Sequence, residues 1–239
     1  MKSILLKSTF FAAALAFSSC HMNFNNGIKG SGNVTTEERQ IGEFTGIVVG
    51  SGLQLSVEQG NGQSVTVKAD DNLQKVITTR VENGILYVEA AEGFDSNSSP
   101  NIKVRIPNIT SLKATAGSTL STVGAIKTPT LNVQSDSGSE VSISVEAESL
   151  TLETSSGSTI EARGKALRLD TSSSSGSSIN AAGLMANEVM AQTSSGSSTD
   201  VNAILKLDAK ASSGGSIDYI GTPKQLQKEE SSGGSVSQN

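Results

Sequence analysis

Cys20 and His21 stand side by side, and the chain has no other cysteine or histidine. A Ser-His-Asp relay needs an imidazole beside a hydroxyl on the folded body. A zinc site needs several His or Cys together. One histidine next to one cysteine near the N-terminus supplies neither. Gly-rich turns cradle phosphates when a Gly-Lys-Ser/Thr opens a helix, and no such run occurs. Carboxylates remain. Asp170 and Asp208 sit at matching places in a repeat, and Glu153 lies one repeat before Asp170. Stacked in one file, they would form an outward acidic row able to serve a hydrolase or hold calcium. The plainer reading is a solvated face, with Arg168, Lys206 and Lys210 close by. A catalytic acid–base pair needs a cleft and perturbed pKa values, and few long insertions exist to wall one. Asp70-Asp71-Asn72 could ligate calcium, but reads more simply as an Asx turn ahead of Leu73. The calcium repeat Gly-Gly-x-Gly-x-Asp is absent. The expectation is therefore a chain with no catalytic residue, no cofactor and no metal site.

Cys20 has a different use. Lys2 and Lys7 form a basic start, and Thr9–Phe17 is an apolar run too short to span a bilayer. Ser18-Ser19 then precede Cys20. This resembles a bacterial lipoprotein signal: residues 1–19 would be removed and Cys20 acylated. The alternative is an ordinary signal peptide that leaves a free thiol. Each buried methylene contributes roughly 0.8 kcal/mol, so an acylated Cys20 would anchor the chain to the outer membrane. Cys20-His21-Met22-Asn23 carries no acidic residue of the kind that favours surface export, so both the cell surface and the periplasmic face stay open. Residues 20–40, rich in Asn and Gly, read as a flexible tether. Gly32-Asn33-Val34-Thr35 at its end is able to pair as an edge strand.

Net charge is −5 with the two signs interspersed. Nucleic acid is therefore no partner, because phosphate binding needs a clustered basic surface. Aromatics are 3% and Trp is absent, so the apolar content is Val, Ile, Leu and Ala, which suits thin stacked layers.

Those layers follow from a repeat. Ala116-Gly117-Ser118, Ser137-Gly138-Ser139, Ser156-Gly157-Ser158, Ser175-Gly176-Ser177 and Ser195-Gly196-Ser197 recur, followed by Ser213-Gly214-Gly215-Ser216 and Ser232-Gly233-Gly234-Ser235. The marker glycines are 21, 19, 19, 20, 18 and 19 residues apart. A fixed period near 20 residues signals a solenoid. Each unit holds two alternating stretches, which puts apolar residues on one face. Before the turn stand Leu131/Val133, Leu150/Leu152, Leu167/Leu169, Val189/Ala191 and Leu205/Leu207. After it stand Ile143/Val145, Ile160/Ala162, Ile179/Ala181, Val201/Ala203 and Ile217/Tyr219. The unit is too short for a crossover helix, so the chain must coil. The predicted fold is all-β: a single-stranded, right-handed parallel β-helix over 111–239 with about 19 residues per rung. Gly supplies the positive φ of a tight corner, and flanking Ser bonds to local backbone. The hydroxyls of Ser156, Ser158, Ser175, Ser177, Ser195, Ser197, Ser213 and Ser216 would then form an outward ladder. That ladder is either a binding surface for a protein or glycan, or simply what a soluble tight corner requires.

Residues 41–110 are strand-rich and not yet periodic. Ile47-Val48-Val49 and Leu53–Val57 flank Gly50-Ser51-Gly52, and Val65-Thr66-Val67 alternates. Glu82-Asn83-Gly84 between Val76–Val81 and Ile85–Val88 predicts a hairpin. Ile102–Ile106 alternates and stops at Pro107.

Phe44-Thr45-Gly46-Ile47-Val48-Val49, Asn72-Leu73, Glu82-Asn83-Gly84-Ile85-Leu86 and Ile102-Lys103-Val104 occur in this order, ahead of the Ser-Gly rungs. The run Gly214-Gly215-Ser216-Ile217-Asp218-Tyr219-Ile220-Gly221-Thr222-Pro223 closes the series. Together, over about 41–236, they resemble the autotransporter-type adhesin head (GIN) domain family of Bacteroidetes lipoproteins. The resemblance implies a β-helical fold, an envelope address and adhesin-like, non-catalytic work. The alternatives are a β-helix carbohydrate-active or glycan-binding protein using outward carboxylates, and a periplasmic structural or stress lipoprotein without external ligand. Scarce aromatics weaken a sugar-stacking site but leave shape-reading of a protein partner untouched. Oligomeric state is not encoded in any of these features.

Overall fold

The computed structural model describes residues 27–96 and 100–239. The expected signal peptide, Cys20, His21 and the first part of the expected tether lie outside the described residues. No helix occurs among the described residues. The N-terminal strands are β1 (Ile28–Lys29), β2 (Val34–Glu38), β3 (Gly46–Val49), β4 (Gln54–Gln59) and β5 (Ser64–Asp70). They continue as β6 (Ile77–Glu82), β7 (Ile85–Ala90), β8 (Phe94–Asp95), β9 (Asn101–Ile106) and β10 (Ser111–Ala114). Five long strands follow: β11 (Thr119–Ser135), β12 (Glu140–Thr154), β13 (Thr159–Ser173), β14 (Ser178–Thr193) and β15 (Ser198–Ala211). The chain closes with β16 (Ser216–Ile220), β17 (Gln225–Glu230) and β18 (Ser235–Gln238).

From β11 to β15 each strand pairs in parallel with the next, one rung on. The result is a parallel β-solenoid of about 7 turns with rungs of about 19 residues. Each long strand is two legs joined by a bend. The Ser-Gly turn closes the rung at the other corner. At that turn Ser175 and Gly176 both have positive φ, 57° and 67°, the signature of a type I′ turn. The Gly157 N–H donates to the Ser175 carbonyl at 3.1 Å, and Gly176 to Ser195 and Gly196 to Ser213 likewise at 3.1 Å. The marker glycines therefore stand in a single file, one per rung. Rung length varies only at the other bend, where the register shifts between Ser121 and Ala125 and between Ala181 and Met185.

The core is a stack of aliphatic side chains. Leu131, Leu150, Leu169, Val189 and Leu207 are buried in one file. Each contributes roughly 1.5–3 kcal/mol relative to exposure. Two expected inward pairs are corrected. Leu167 is 57% exposed and Leu205 39% exposed; the true slots are filled by Leu169 with Thr171, and by Leu207 with Ala209. Thr199, rather than Val201, stacks on Ile179. The bend shortens one leg, so alternation counted through it slips.

Stacking crosses residue 110 without a break. β3 pairs in parallel with β10, β4 with β11, and the Gly52 N–H bonds to the Ala116 carbonyl at 2.9 Å. Above this rung β7 and β9 pair with β3 and β4. Antiparallel strands then take over: β6 on β7, β5 on β9, and β2 on β5. The Asn83-Gly84 hairpin joins β6 to β7 as its sequence requires, with φ of 52° and 73°. The tether expected over 20–40 is held from Ile28 onward: β1 pairs with β8, and β2 forms the expected edge strand.

Candidate functional site

The serine corner divides in two. Ser156, Ser175, Ser195 and Ser213 lie at the tip and are exposed. Ser158, Ser177 and Ser197 are buried and leave the expected surface. The Ser177 hydroxyl donates to the Ser174 carbonyl at 2.8 Å and bonds Thr154 Oγ1 at 2.9 Å. Ser158 bonds the carbonyls of Ser135 and Ser155. These hydroxyls line the inside of the corner, where they satisfy carbonyls that the turn turns inward. Ser216 is half-buried and sits in the file of Ser198, one place past the corner. Gly215 takes the buried serine's place, because a Cβ there would lie 2.9 Å from the Thr193 carbonyl carbon.

The expected acidic row does not assemble. Asp170 and Asp208 share a file, but Met190 stands between them. Thr151, rather than Glu153, precedes Asp170 in that file. Glu153 instead accepts from Gln134 Nε2 at 2.8 Å. A different pair is adjacent: Asp200 lies in register with Asp218. Burial, and then the neighbouring Asp218 charge, raise the Asp200 carboxyl above its ordinary value. A constant offset of four residues after each marker glycine was the signal for this file, and it also picks out Glu161 and Asn180. Among the described residues no group of three or more His, Cys, Asp or Glu is placed to hold a metal ion.

Asp70-Asp71-Asn72 is a turn. The Asn72 N–H bonds Asp71 Oδ1 at 2.7 Å, and the Leu73 N–H bonds the Asp70 carbonyl at 2.9 Å. Asp71 also accepts from Ser31 Oγ at 2.5 Å and Asn33 Nδ2 at 2.9 Å. Its ligands are thus the chain's own N-terminal segment.

The bend opposite the serine corner carries what sequence reasoning missed. Thr128, Ala147, Ala166, Ala186 and Ala203 form one file across β11 to β15. Thr128, Ala147 and Ala166 of this file line an open trough of about 630 Å³. Leu167, Met185 and Ile204 stand along it, 57%, 53% and 43% exposed. At one end Glu146 lies between Lys127 and Lys165, at 3.5 and 3.4 Å. The Lys165 hydrogen bond first holds the Glu146 carboxyl below its usual value, against the opposing effect of burial and with help from the Lys127 charge. Scattered apolar residues on a surface need no explanation, but contiguous ones mark contact faces. The clue in the sequence was Leu167 and Ile204-Leu205, which fall at the shortened bend.

Solved structures of the same shape exist. A protein described as a putative adhesin from Bacteroides fragilis matches with TM-score 0.82 at 20% identity, covering 89% of this chain and 100% of that one. A putative adhesin from Parabacteroides merdae matches with TM-score 0.73 at 19% identity, covering 89% and 98%. A putative lipid binding protein from Parabacteroides distasonis matches with TM-score 0.70 at 21% identity, covering 89% and 99%. At these identities the likeness is one of fold. Among curated protein sequences none matches. The model of one family, described as putative auto-transporter adhesin, head GIN domain, matches residues 43–223, most of the chain, and the chain belongs to that family.

Proposed function

We propose that this chain is a non-catalytic, adhesin-like module of the cell envelope, anchored through an acylated Cys20, that presents a rigid β-solenoid to a protein partner. The observation that carries the reading is the trough: Leu167, Met185 and Ile204 stay exposed beside a floor of alanines. The backbone beneath is committed to the rung ladder, so the face offers shape and apolar area, with polar contact left to side chains such as Lys127, Glu146 and Lys165. Apolar anchors set in a rigid surface are the usual core of a protein contact. The exposed hydroxyls of Ser156, Ser175, Ser195 and Ser213 form a second, polar surface on the opposite corner. A narrow alanine floor also suits a single acyl chain, and the Parabacteroides relative described as lipid binding makes this the second reading.

The test uses intact cells producing the full chain or its Leu167→Glu/Met185→Glu variant. Attachment to epithelial monolayers is measured beside protease shaving of the same cells. Attachment lost with the variant, at equal shaving, supports the reading. Equal attachment removes the trough as the contact face. Protection from shaving removes surface display. Binding of a fluorescent fatty acid to the parent chain alone would favour the acyl reading.

A further inference from the structure

The two ends of the solenoid are closed in different ways. At the N-terminal end antiparallel strands β6, β5 and β2 lie over the last parallel rung. At the other end β17 pairs in parallel with β15, placing Leu226, Lys228 and Glu230 in register with Leu207, Ala209 and Ala211. Those three are buried, and every earlier rung from β11 on fills the last two files with an apolar or hydroxyl side chain. Lys228 and Glu230 put charges there instead.

Both charges turn across the open end. Lys228 Nζ lies 4.7 Å from the centre of the Tyr219 ring and donates to the Val236 carbonyl at 3.0 Å. Glu230 Oε1 accepts the Val236 N–H at 2.6 Å. Val236 belongs to β18, which pairs with β16 on one side and with no further strand among the described residues. The ammonium thus takes the place of an amide donor, and the carboxylate that of a carbonyl acceptor. Between them they occupy both hydrogen-bonding groups of Val236.

We propose that Lys228 and Glu230 form an end latch, which keeps the β18 edge from pairing with a second copy of this chain. An unpaired strand edge is a template for another strand, and inward charges are one of the devices that blunt it. Without the latch, two copies meeting end to end about a twofold axis would pair β18 with β18 in an isologous contact. The exposed Leu226 would add apolar area to that contact.

The experiment compares the purified parent chain with Lys228→Ala/Glu230→Ala by size exclusion with light scattering over a hundredfold concentration range. Glu229→Ala, which removes an outward charge paired with Lys210 at 3.3 Å, is the control. The parent and the control remain monomeric, while the double variant at least doubles its mass as concentration rises. In Glu230→Ala the Val236 amide exchanges with solvent at least tenfold faster at low concentration. A double variant that stays monomeric overturns the proposal. So does a parent that already dimerises through this end, or association of Glu229→Ala to the same degree. If the double variant melts below the assay temperature, Lys228→Met keeps the aliphatic stem without the donor. Association of that variant supports the latch, and a monomer overturns it.

Discussion

Asp200 and Asp218 occupy the same register position on consecutive rungs, so two carboxylates stand side by side on the outer face. Parallel stacking enforces this, because an in-register ladder repeats every side chain about 4.8 Å away. Burial, and then the Asp218 charge, push the Asp200 carboxyl above its ordinary value. A raised acid opposes folding when charged: the cost is present above the folded pKa and disappears as pH falls below the unfolded one. Asp200→Asn should therefore raise the melting temperature near pH 7, by up to about 3 °C given solvent screening of a half-exposed group. The gain should fade on acidification through the carboxylate range and vanish below about pH 3.5. Thermal melts of both proteins at pH 7, 5 and 3 read this out. A gain that persists at pH 3 would mean the repulsion is not its source.

The two bends of a rung predict different glycine tolerance. At the serine corner Gly176 has φ of 67° and open space around its missing Cβ. Gly176→Ala meets only the left-handed backbone cost, about 1–2 kcal/mol. Gly164, at the other bend, has φ of 121°, and a Cβ there would overlap the Val145 carbonyl oxygen. Gly164→Ala must shift a rung, and should cost more than about 3 kcal/mol. Urea unfolding of the pair measures the ordering. Equal losses would remove the distinction between a strained corner and a crowded one.

The corner was legible in the sequence for a physical reason. A type I′ turn needs two positive φ angles in succession, which few residue pairs tolerate, so Ser-Gly recurs at this corner of each rung. The other bend has no such requirement. It absorbs insertions such as Thr122-Val123-Gly124, and its file of small residues, Thr128, Ala147, Ala166, Ala186 and Ala203, does not recur at a fixed spacing. Alternation counted across it slipped at Leu167 and Leu205, and the same slip hid the apolar trough. The N-terminal rung was missed because Ser51-Gly52 belongs to the turn file, yet lies far in sequence from Ala116-Gly117, on which it stacks. Counting offsets from each marker glycine would have separated Asp170 from Glu153 and found Asp200 beside Asp218.

Serines two residues apart at one corner should behave as different residues. Ser177 is buried and bonded to Ser174 and Thr154. Ser177→Ala leaves a buried hydroxyl and a carbonyl without that partner, at a cost of about 1–2 kcal/mol. Ser175 is exposed at the tip, so Ser175→Ala should stay within about 0.5 kcal/mol. In the attachment assay the order reverses if the outward hydroxyls contact a partner: loss should then follow Ser175 and Ser195 and spare folded Ser177→Ala. Equal melting temperatures for the Ser175 and Ser177 variants would contradict the inward placement.

The N-terminal segment should come loose in acid. Asp71 holds it through Ser31 Oγ and Asn33 Nδ2, while Asn72 takes the Ser31 N–H at 3.0 Å and gives its own amide to the Lys29 carbonyl at 2.7 Å. The Ser31 bond first, then the Asn33 bond, against the opposing effect of burial, lower the Asp71 carboxyl below its ordinary value. A depressed acid stabilises when charged: its contribution is complete above the unfolded pKa and is lost as pH falls through the folded one. Hydrogen exchange at Ser31, compared with Val67 in the body, should show protection at pH 5 that is lost, at Ser31 alone, only as pH falls below the ordinary carboxylate range. Asp71→Asn keeps one acceptor but removes the charge, and should lose that protection at pH 5 already. Protection of Ser31 in Asp71→Asn equal to the parent would show that β1 and β2 pairing, rather than the carboxylate, fastens the segment. Residues 28–38 carry β1 and β2, so the answer decides what fastens this N-terminal segment to the solenoid.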